Sequence, residues 1–356
     1  MPGGLFELRR DAITGWWVAV VVDREYDRSR FAFPARPADD GGACQNCREP
    51  GGDGVRVRTL RAHAFRMADE EQVGRESARD RESARDRGAA PRQSDTGVAS
   101  AGQAAFGQPG LGLVADIGSW QTIVAPPEHH GWLADEAPDI VEQMLRLARA
   151  AIVDARAQGG TAYVQVLQNA GSQAGARTNH LCLDVYDLPQ IPHRIGEELG
   201  GAARFLIREG ICPFCLLVHD EVASGERLVF EDAGSVAFAP YASRSPFELW
   251  VVPRQHQADF GLASDVQITG ATETLRKVIR LLDALDRPPY NLILHTAPLH
   301  ERVADTYHWH WEIHPRLREI AGLELGTGLP VNPISPEAAV EELRSRAGPR
   351  RVEWPG

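Results

Sequence analysis

Two C-x-x-C pairs, Cys44/Cys47 and Cys212/Cys215, and one run of alternating imidazoles and indoles carry most of the reactive chemistry in this chain. The run is Tyr307-His308-Trp309-His310-Trp311-Glu312-Ile313-His314-Pro315-Arg316. Thiolates and imidazoles are the ligands that zinc prefers, and four of them close a tetrahedral site. The chain has five cysteines, an odd total, and four of them sit in tight pairs. That usage argues against a disulfide framework and for metal sites in a reducing compartment. Period-2 alternation in the His-Trp run predicts a β-strand, with His308, His310 and Glu312 on one face and Trp309, Trp311 and Ile313 turned into the core. Imidazoles two apart on one face suit metal ligation or phosphate chemistry. The plainer alternative is a polar stripe on the solvent side of a half-buried strand.

The spacing of these residues repeats. His129 stands 51 residues before His180, and His256 stands 52 before His308. Cys47 precedes His129 by 82 residues, whereas Cys215 precedes His256 by 41. The excess is close to the 43 residues of a low-complexity tract at 68–110, in which Arg75-Glu-Ser-Ala-Arg-Asp is copied at once from Arg81. That tract, charged and poor in aromatics, cannot bury enough apolar area to order itself and is expected to be a disordered insert. With it removed, both halves read C-x-x-C, a His after a strand and Pro, a helix, then His-x-(Cys/His)-x-(Asp/Glu). We therefore expect a tandem duplication of one α+β unit, with domains at 1–200 and 201–356. Each unit offers two thiolates and two imidazoles. Two structural zincs follow, one on Cys44, Cys47, His129 and His180, the other on Cys212, Cys215, His256 and His308. His130 is an alternative to His129.

The elements that must hold these groups are legible as patterns. Trp16–Val22, Trp120–Ala125, Ala162–Leu167 and Tyr290–His295 read as strands, and residues 228–239 and 246–253 as further strands. Residues 137–157 and 267–286 have helical spacing. The small-residue loop Gln168–Ala176 can bring backbone amides close to an anion. A length of 356 residues suits two domains, and 43% hydrophobic with 24% charged residues is a globular composition. A net charge of −11 excludes non-specific attraction to nucleic acid or anionic membrane, so a phosphate-bearing ligand must be held locally. No apolar run reaches membrane length and the first residues form no signal peptide, which places the chain in the cytoplasm.

Four stretches resemble galactose-1-phosphate uridylyltransferase and, at least as closely, plant ADP-glucose phosphorylase. They are Leu8-Arg9-Arg10-Asp11-x-x-Thr14-Gly15, Gln168-Asn169-x-Gly171-x-x-Ala174-Gly175, Cys212-Pro213-Phe214-Cys215 and Gly322–Gly328. The resemblance implies an α+β fold of two histidine-triad-like domains, each an antiparallel half-barrel sheet with flanking helices. It implies transfer of a nucleoside monophosphate between a nucleotide sugar and a sugar 1-phosphate or phosphate, through a nucleotidyl-histidine, by a homodimer. Both quartets above fall on the family's zinc positions. Asn169, Gly171 and Gly175 fall on its phosphate-cradling loop. Arg24, Arg28, Phe65 and Asp184 are the further nucleotide-side candidates. Some members hold iron at the second site instead, through positions matched to Glu198, His295, His308 and His310.

One departure bears directly on mechanism. Where the family has His-Pro-His-x-Gln, with its second His attacking phosphorus, this chain reads His180-Leu181-Cys182-Leu183-Asp184. Cys182 takes the nucleophile position and Asp184 replaces an amide donor. By the internal repeat His310 stands where Cys182 does, so His310 and Cys182 are competing nucleophiles, with His295, Glu312 or Arg316 steadying the centre. The alternatives are a zinc-scaffolded nucleotide-binding protein without turnover and a histidine-triad-type nucleotide hydrolase.

Overall fold

The structure, a computed structural model, describes residues 7–22, 44–48, 54–60, 119–127 and 130–347. The predicted insert, His129, Arg24, Arg28 and Phe65 all lie outside the described residues. In chain order come β1 (Glu7–Arg10), β2 (Trp17–Val20), α1 (Gln45–Arg48), β3 (Arg56–Leu60), β4 (Trp120–Val124), α2 (Pro138–Gln158), β5 (Tyr163–Ala170) and β6 (Cys182–Leu188). They are followed by α3 (His193–Glu209), α4 (Pro213–Ser224), β7 (Leu228–Glu231), β8 (Ser235–Phe238), β9 (Leu249–Pro253), α5 (Asp265–Leu281) and β10 (Tyr290–His295). The last elements are β11 (His310–Pro315), α6 (Gly322–Thr327), β12 (Val331–Asn332) and α7 (Pro336–Ala347).

Nine strands form one sheet in the order β3-β4-β6-β5-β10-β11-β9-β8-β7. Reading outward from the antiparallel β5–β10 pair, β5-β6-β4-β3 mirrors β10-β11-β9-β8. A helix joins the two outer strands to the two inner ones on each side, α2 between β4 and β5 and α5 between β9 and β10. The mixed α+β class with antiparallel pairing is as expected. The arrangement differs from two separate sheets, because the sets are hydrogen-bonded edge to edge and share one core. Helix α3 also runs through residue 200, where the sequence places a domain boundary.

The shared core lies on the α2/α5 face. Met144, Leu145 and Ile152 of α2 and Leu275, Val278 and Ile279 of α5 pack with Val166, Leu292, Trp309 and Trp311 in a single apolar cluster. Alternation along β11 sends Trp311 and Ile313 there and leaves His310 and Glu312 on the opposite face. A capping box at Ser264 and Gln267 starts α5. Over β7–β9 the opposite face is covered by α3 and α4 through Ala202, Phe214 and Val218 against Phe238, Trp250 and Val252. Gly201 of α3 lies so near the β1–β2 turn that a Cβ there would come 1.8 Å from the Ile13 carbonyl oxygen, so only glycine fits. The hairpin turn is itself closed by Asp11, which accepts from the Ile13 and Thr14 amides at 3.0 and 2.6 Å. No described helix is long and apolar enough to cross a membrane.

Candidate functional site

Each C-x-x-C pair sits at a helix start, where residues three apart share one face. In α4 the local reason is plain: Cys212 caps the helix, Pro213 takes the first turn and Cys215 follows on the same side. Ligand atoms of Cys212, Cys215, His256 and His308 all lie within 4.8 Å of one another. Cys215 Sγ is 3.2 Å from His256 Nδ1 and 3.9 Å from His308 Nδ1. The far nitrogen of His256 donates to the Ala304 carbonyl at 2.6 Å, which leaves Nδ1 turned to the thiols. Burial, with His256 and His310 nearby, pushes the His308 imidazole down to about 3, so it is neutral and able to ligate.

In the first half, Cys44, Cys47 and His180 form the same kind of group. Cys47 Sγ is 3.3 Å and Cys44 Sγ 3.9 Å from His180 Nδ1, and His180 Nε2 meets the Ala125 carbonyl at 3.0 Å. His130, the alternative fourth member, points elsewhere: its Nε2 is 3.2 Å from Glu136 Oε2. Among the described residues this cluster has three members.

A third group is wholly buried. Glu198, His295, His310 and Glu312 converge beneath α3. Of the four residues matched to the family's iron positions, Glu198, His295 and His310 meet here together with Glu312, while His308 lies with Cys212, Cys215 and His256. His295 Nδ1 is 3.0 Å from Glu198 Oε2, and Tyr307 donates its hydroxyl to that oxygen at 2.8 Å. Arg194 and Arg244 both donate to Glu312, at 3.0 and 2.9 Å. Burial works against the Glu312 charge, yet Arg244 and His295 hold its carboxyl well below the usual range. His310 is 0% exposed, stacked 4.7 Å from the Trp250 ring, with Nδ1 on the His308 carbonyl. It borders neither the cavity of about 640 Å³ over β3–β6 nor the cavity of about 420 Å³ over β10 and β11. His295 is sealed in the same way, at 3% exposure.

Cys182, by contrast, lines a cavity of about 640 Å³ over β3–β6. Arg58, Asn169, Gly175, Arg177, His180 and Asp184 line it too. Gly171 and Gly175 have φ of +84° and +87°, values that let the loop after β5 turn back toward the sheet. Gly175 borders the cavity, whereas Gly171 packs on Pro289. Asn46, inside the first C-x-x-C, donates to Cys182 Sγ at 3.5 Å and accepts from Arg58 at 2.6 Å. Asp184 accepts from Trp120, Thr122 and Arg177 at 3.2, 2.8 and 2.9 Å. Its charge is therefore spent on holding Arg177, whose guanidinium also lies 4.2 Å over Trp120. Burial, then Asp184, push the Cys182 thiol up to about 12, with Arg177 opposing.

The sequence did not point to Arg58, Asn46 or Arg177. Asn46 and Arg177 flank recognised ligands and could have been found by that adjacency; Arg58, on a short strand beside the insert, carries no such signal.

No family model matches the chain. Over 234 residues it is 29% identical to an ADP-glucose phosphorylase of Arabidopsis thaliana, covering 65% of each protein. Over 191 residues it is 28% identical to a galactose-1-phosphate uridylyltransferase of Thermotoga maritima, covering 51% of this chain and 59% of that protein. The chain thus spans less than two thirds of these curated relatives. Among solved structures, an ADP-glucose phosphorylase from Arabidopsis thaliana with bound ADP-glucose superposes with a TM-score of 0.69 at 24% identity, over 95% of this chain and 98% of that one. A uridylyltransferase mutant superposes with a TM-score of 0.61 at 28% identity, over 64% and 78%. The resemblance read from the motifs is borne out by these matches, and the fold is shared.

Proposed function

We propose that this chain, similar to galactose-1-phosphate uridylyltransferases and to ADP-glucose phosphorylase, is a nucleotidyltransferase that works in the cavity around Cys182. It moves a nucleoside monophosphate between a nucleotide sugar and a sugar 1-phosphate or inorganic phosphate. The observation that carries this reading is the lining of that cavity, where Arg58 of β3, Asn169 of β5, and Gly175 and Arg177 of the loop after β5 surround the Cys182 position. Two guanidinia offset the overall charge of −11 at the one place where phosphate would sit. Of the two competing nucleophiles, Cys182 is the one that borders this space, and its thiol, held protonated near neutrality by burial and Asp184, must give up its proton before it can carry the nucleotidyl. The names of the relatives, a transferase and a phosphorylase, favour group transfer over hydrolysis or bare binding.

Two structural zincs belong to the same reading. Cys212, Cys215, His256 and His308 fit a closed tetrahedral site, and Cys44, Cys47 and His180 fit three quarters of another, with His129 assigned to the fourth position. Zinc there supplies a cross-link rather than a reacting water, and it fixes His180 beside Cys182. The mirrored strand order supports descent from a doubled unit, with 1–200 and 201–356 as its two copies. A homodimer in the cytoplasm completes the reading, and light scattering tests the dimer.

The test is isotope exchange. ADP-glucose or UDP-glucose is incubated with labelled phosphate, and separately with labelled glucose 1-phosphate or galactose 1-phosphate. Label should enter the nucleotide pool with one of these pairs and should be lost in Arg177→Ala. Absence of exchange with every pair, in metal-replete protein, would refute the reading. Label trapped on the protein and mapped to Cys182 would establish the covalent route.

A further inference from the structure

Asp184 places a carboxylate in the cavity assigned above to phosphate groups, at the position where the resembled family has an amide. Taken alone, a negative charge there would repel the ligand and oppose the two guanidinia beside it. Its hydrogen bonds give it a different task. Three donors converge on Oδ1, from Trp120 Nε1 at 3.2 Å, Thr122 Oγ1 at 2.8 Å and Arg177 Nη2 at 2.9 Å. Trp120 and Thr122 belong to β4, and in the register of the β4–β6 pair Thr122 stands directly opposite Asp184 and Trp120 opposite Tyr186. The carboxylate is thus built into the sheet, and at 7% exposure little of it is open to the cavity.

What it holds is far more open. The Arg177 side chain is 52% exposed and comes from the loop between β5 and β6 rather than from the sheet. An arginine left free in such a place samples many rotamers, and a ligand that recruits it must first order it, at a cost in affinity. Here the ordering is done in advance and from two sides. Asp184 grips one edge of the guanidinium, whose face lies 4.2 Å over the Trp120 ring. Trp120 is itself stacked on Tyr186, with ring centres 5.3 Å apart and planes 21° from parallel. The contacts to Asp184 and Thr122 both use Nη2, so Nε and Nη1 have no hydrogen-bond partner among the described residues.

We propose that Asp184 is a positioning residue that locks Arg177 over the Trp120 ring, so that a guanidinium replaces the family's amide as the donor to a phosphate oxygen of the nucleotide sugar. This rests on the reading of the cavity as the site of nucleotidyl transfer. The replacement changes the character of the contact as well as its owner. A guanidinium brings a rigid fork of N–H donors and a full positive charge, and a neutral amide brings neither. Asp184 then serves the ligand only through Arg177, and its own charge is neutralised by the group it aims.

The experiment is titration calorimetry of the full, metal-replete chain with ADP-glucose and with UDP-glucose. If the carboxylate merely added to the local field, removing its charge would tighten the binding of an anion. Asp184→Asn should instead weaken binding about tenfold, because Arg177 is released. Arg177→Ala should weaken it at least as much, and Asp184→Asn placed on top of Arg177→Ala should cause no further loss, as for two residues that act as one unit. A carboxylate that only held the sheet together would lower the melting temperature and show no such coupling to Arg177. Should Asp184→Asn fail to fold, Thr122→Val stands in for it, removing one of the donors that hold the carboxylate, with an expected loss of roughly threefold. The proposal alone is overturned if the natural chain binds a nucleotide sugar and the Asp184→Asn chain, or its stand-in, binds it equally well or better. It is also overturned if the losses from Asp184→Asn and Arg177→Ala add. A natural chain that binds neither nucleotide sugar overturns the proposal together with the reading it rests on.

Discussion

Asn291 donates from Nδ2 to Asn169 Oδ1 at 2.7 Å across the β5–β10 pair, so a side chain of the second cavity orients a side chain of the first. The same Nδ2 also donates to the Ala174 carbonyl at 2.8 Å, which ties down the loop that carries Gly175. The two cavities are therefore joined through one amide.

Asn291→Ala should weaken nucleotide-sugar binding in the first cavity, although residue 291 does not line it. Loss of a hydrogen bond that orients a ligand-facing amide costs about 1 kcal/mol, roughly fivefold in Kd. Titration calorimetry with ADP-glucose or UDP-glucose would read it, and an unchanged Kd would remove Asn169 from the binding surface.

Metal analysis of the purified chain should find two zinc ions per chain. Cys215→Ser should lose one of them and lower the melting temperature, and a strong chelator should lower it further, because metal affinity at a closed site is folding free energy. A metal-free chain that melts at the same temperature as the loaded one would contradict the assignment.

Glu312→Gln should be among the most destabilising single changes in the molecule. It leaves Arg194 and Arg244 facing a neutral amide at a position 1% exposed. Breaking a buried pair in this way costs about 3–5 kcal/mol. Denaturant unfolding monitored by tryptophan fluorescence would measure it.

Glu337 of α7 predicts a pH dependence. Burial raises its pKa, but hydrogen bonds from Arg9 and Arg227 outweigh that and hold it below the ordinary carboxylate value. A carboxyl depressed on folding stabilises the native state above its unfolded pKa, and that contribution is lost as pH falls through the folded value. The melting-temperature gap between the natural chain and Glu337→Gln should thus be full near neutrality and close below about pH 4, the ordinary carboxylate range. A gap independent of pH would show that the pair with Arg9 carries no net charge coupling.

Much of this was legible in the residues, for reasons that differ by element. The C-x-x-C pairs and distant histidines could be matched because metal ligation demands fixed residue types, and the repeated spacing supplied a second, independent count. Strand alternation correctly turned Trp309, Trp311 and Ile313 to one side and His310 and Glu312 to the other. What alternation cannot tell is what covers the polar side. Helix α3, whose Glu198 and Arg194 seal that side, carries four glycines or alanines on its packed stretch and reads weakly as a helix. With that cover unseen, His310 looked reachable. The residues from the far half that meet each cluster, such as Arg244 on Glu312 or Asn291 on Asn169, are set by register across the sheet rather than by any local pattern.

The unbroken hydrogen bonding between β5 and β10 has a further consequence for how the chain can be divided. Severing it near residue 200 would split α3 and bare the hydrogen-bonding edges of two long inner strands, each of which its neighbour normally pairs. Such fragments would be sticky in isolation and soluble only when co-expressed, so a mutation crippling one half cannot be shed by discarding it.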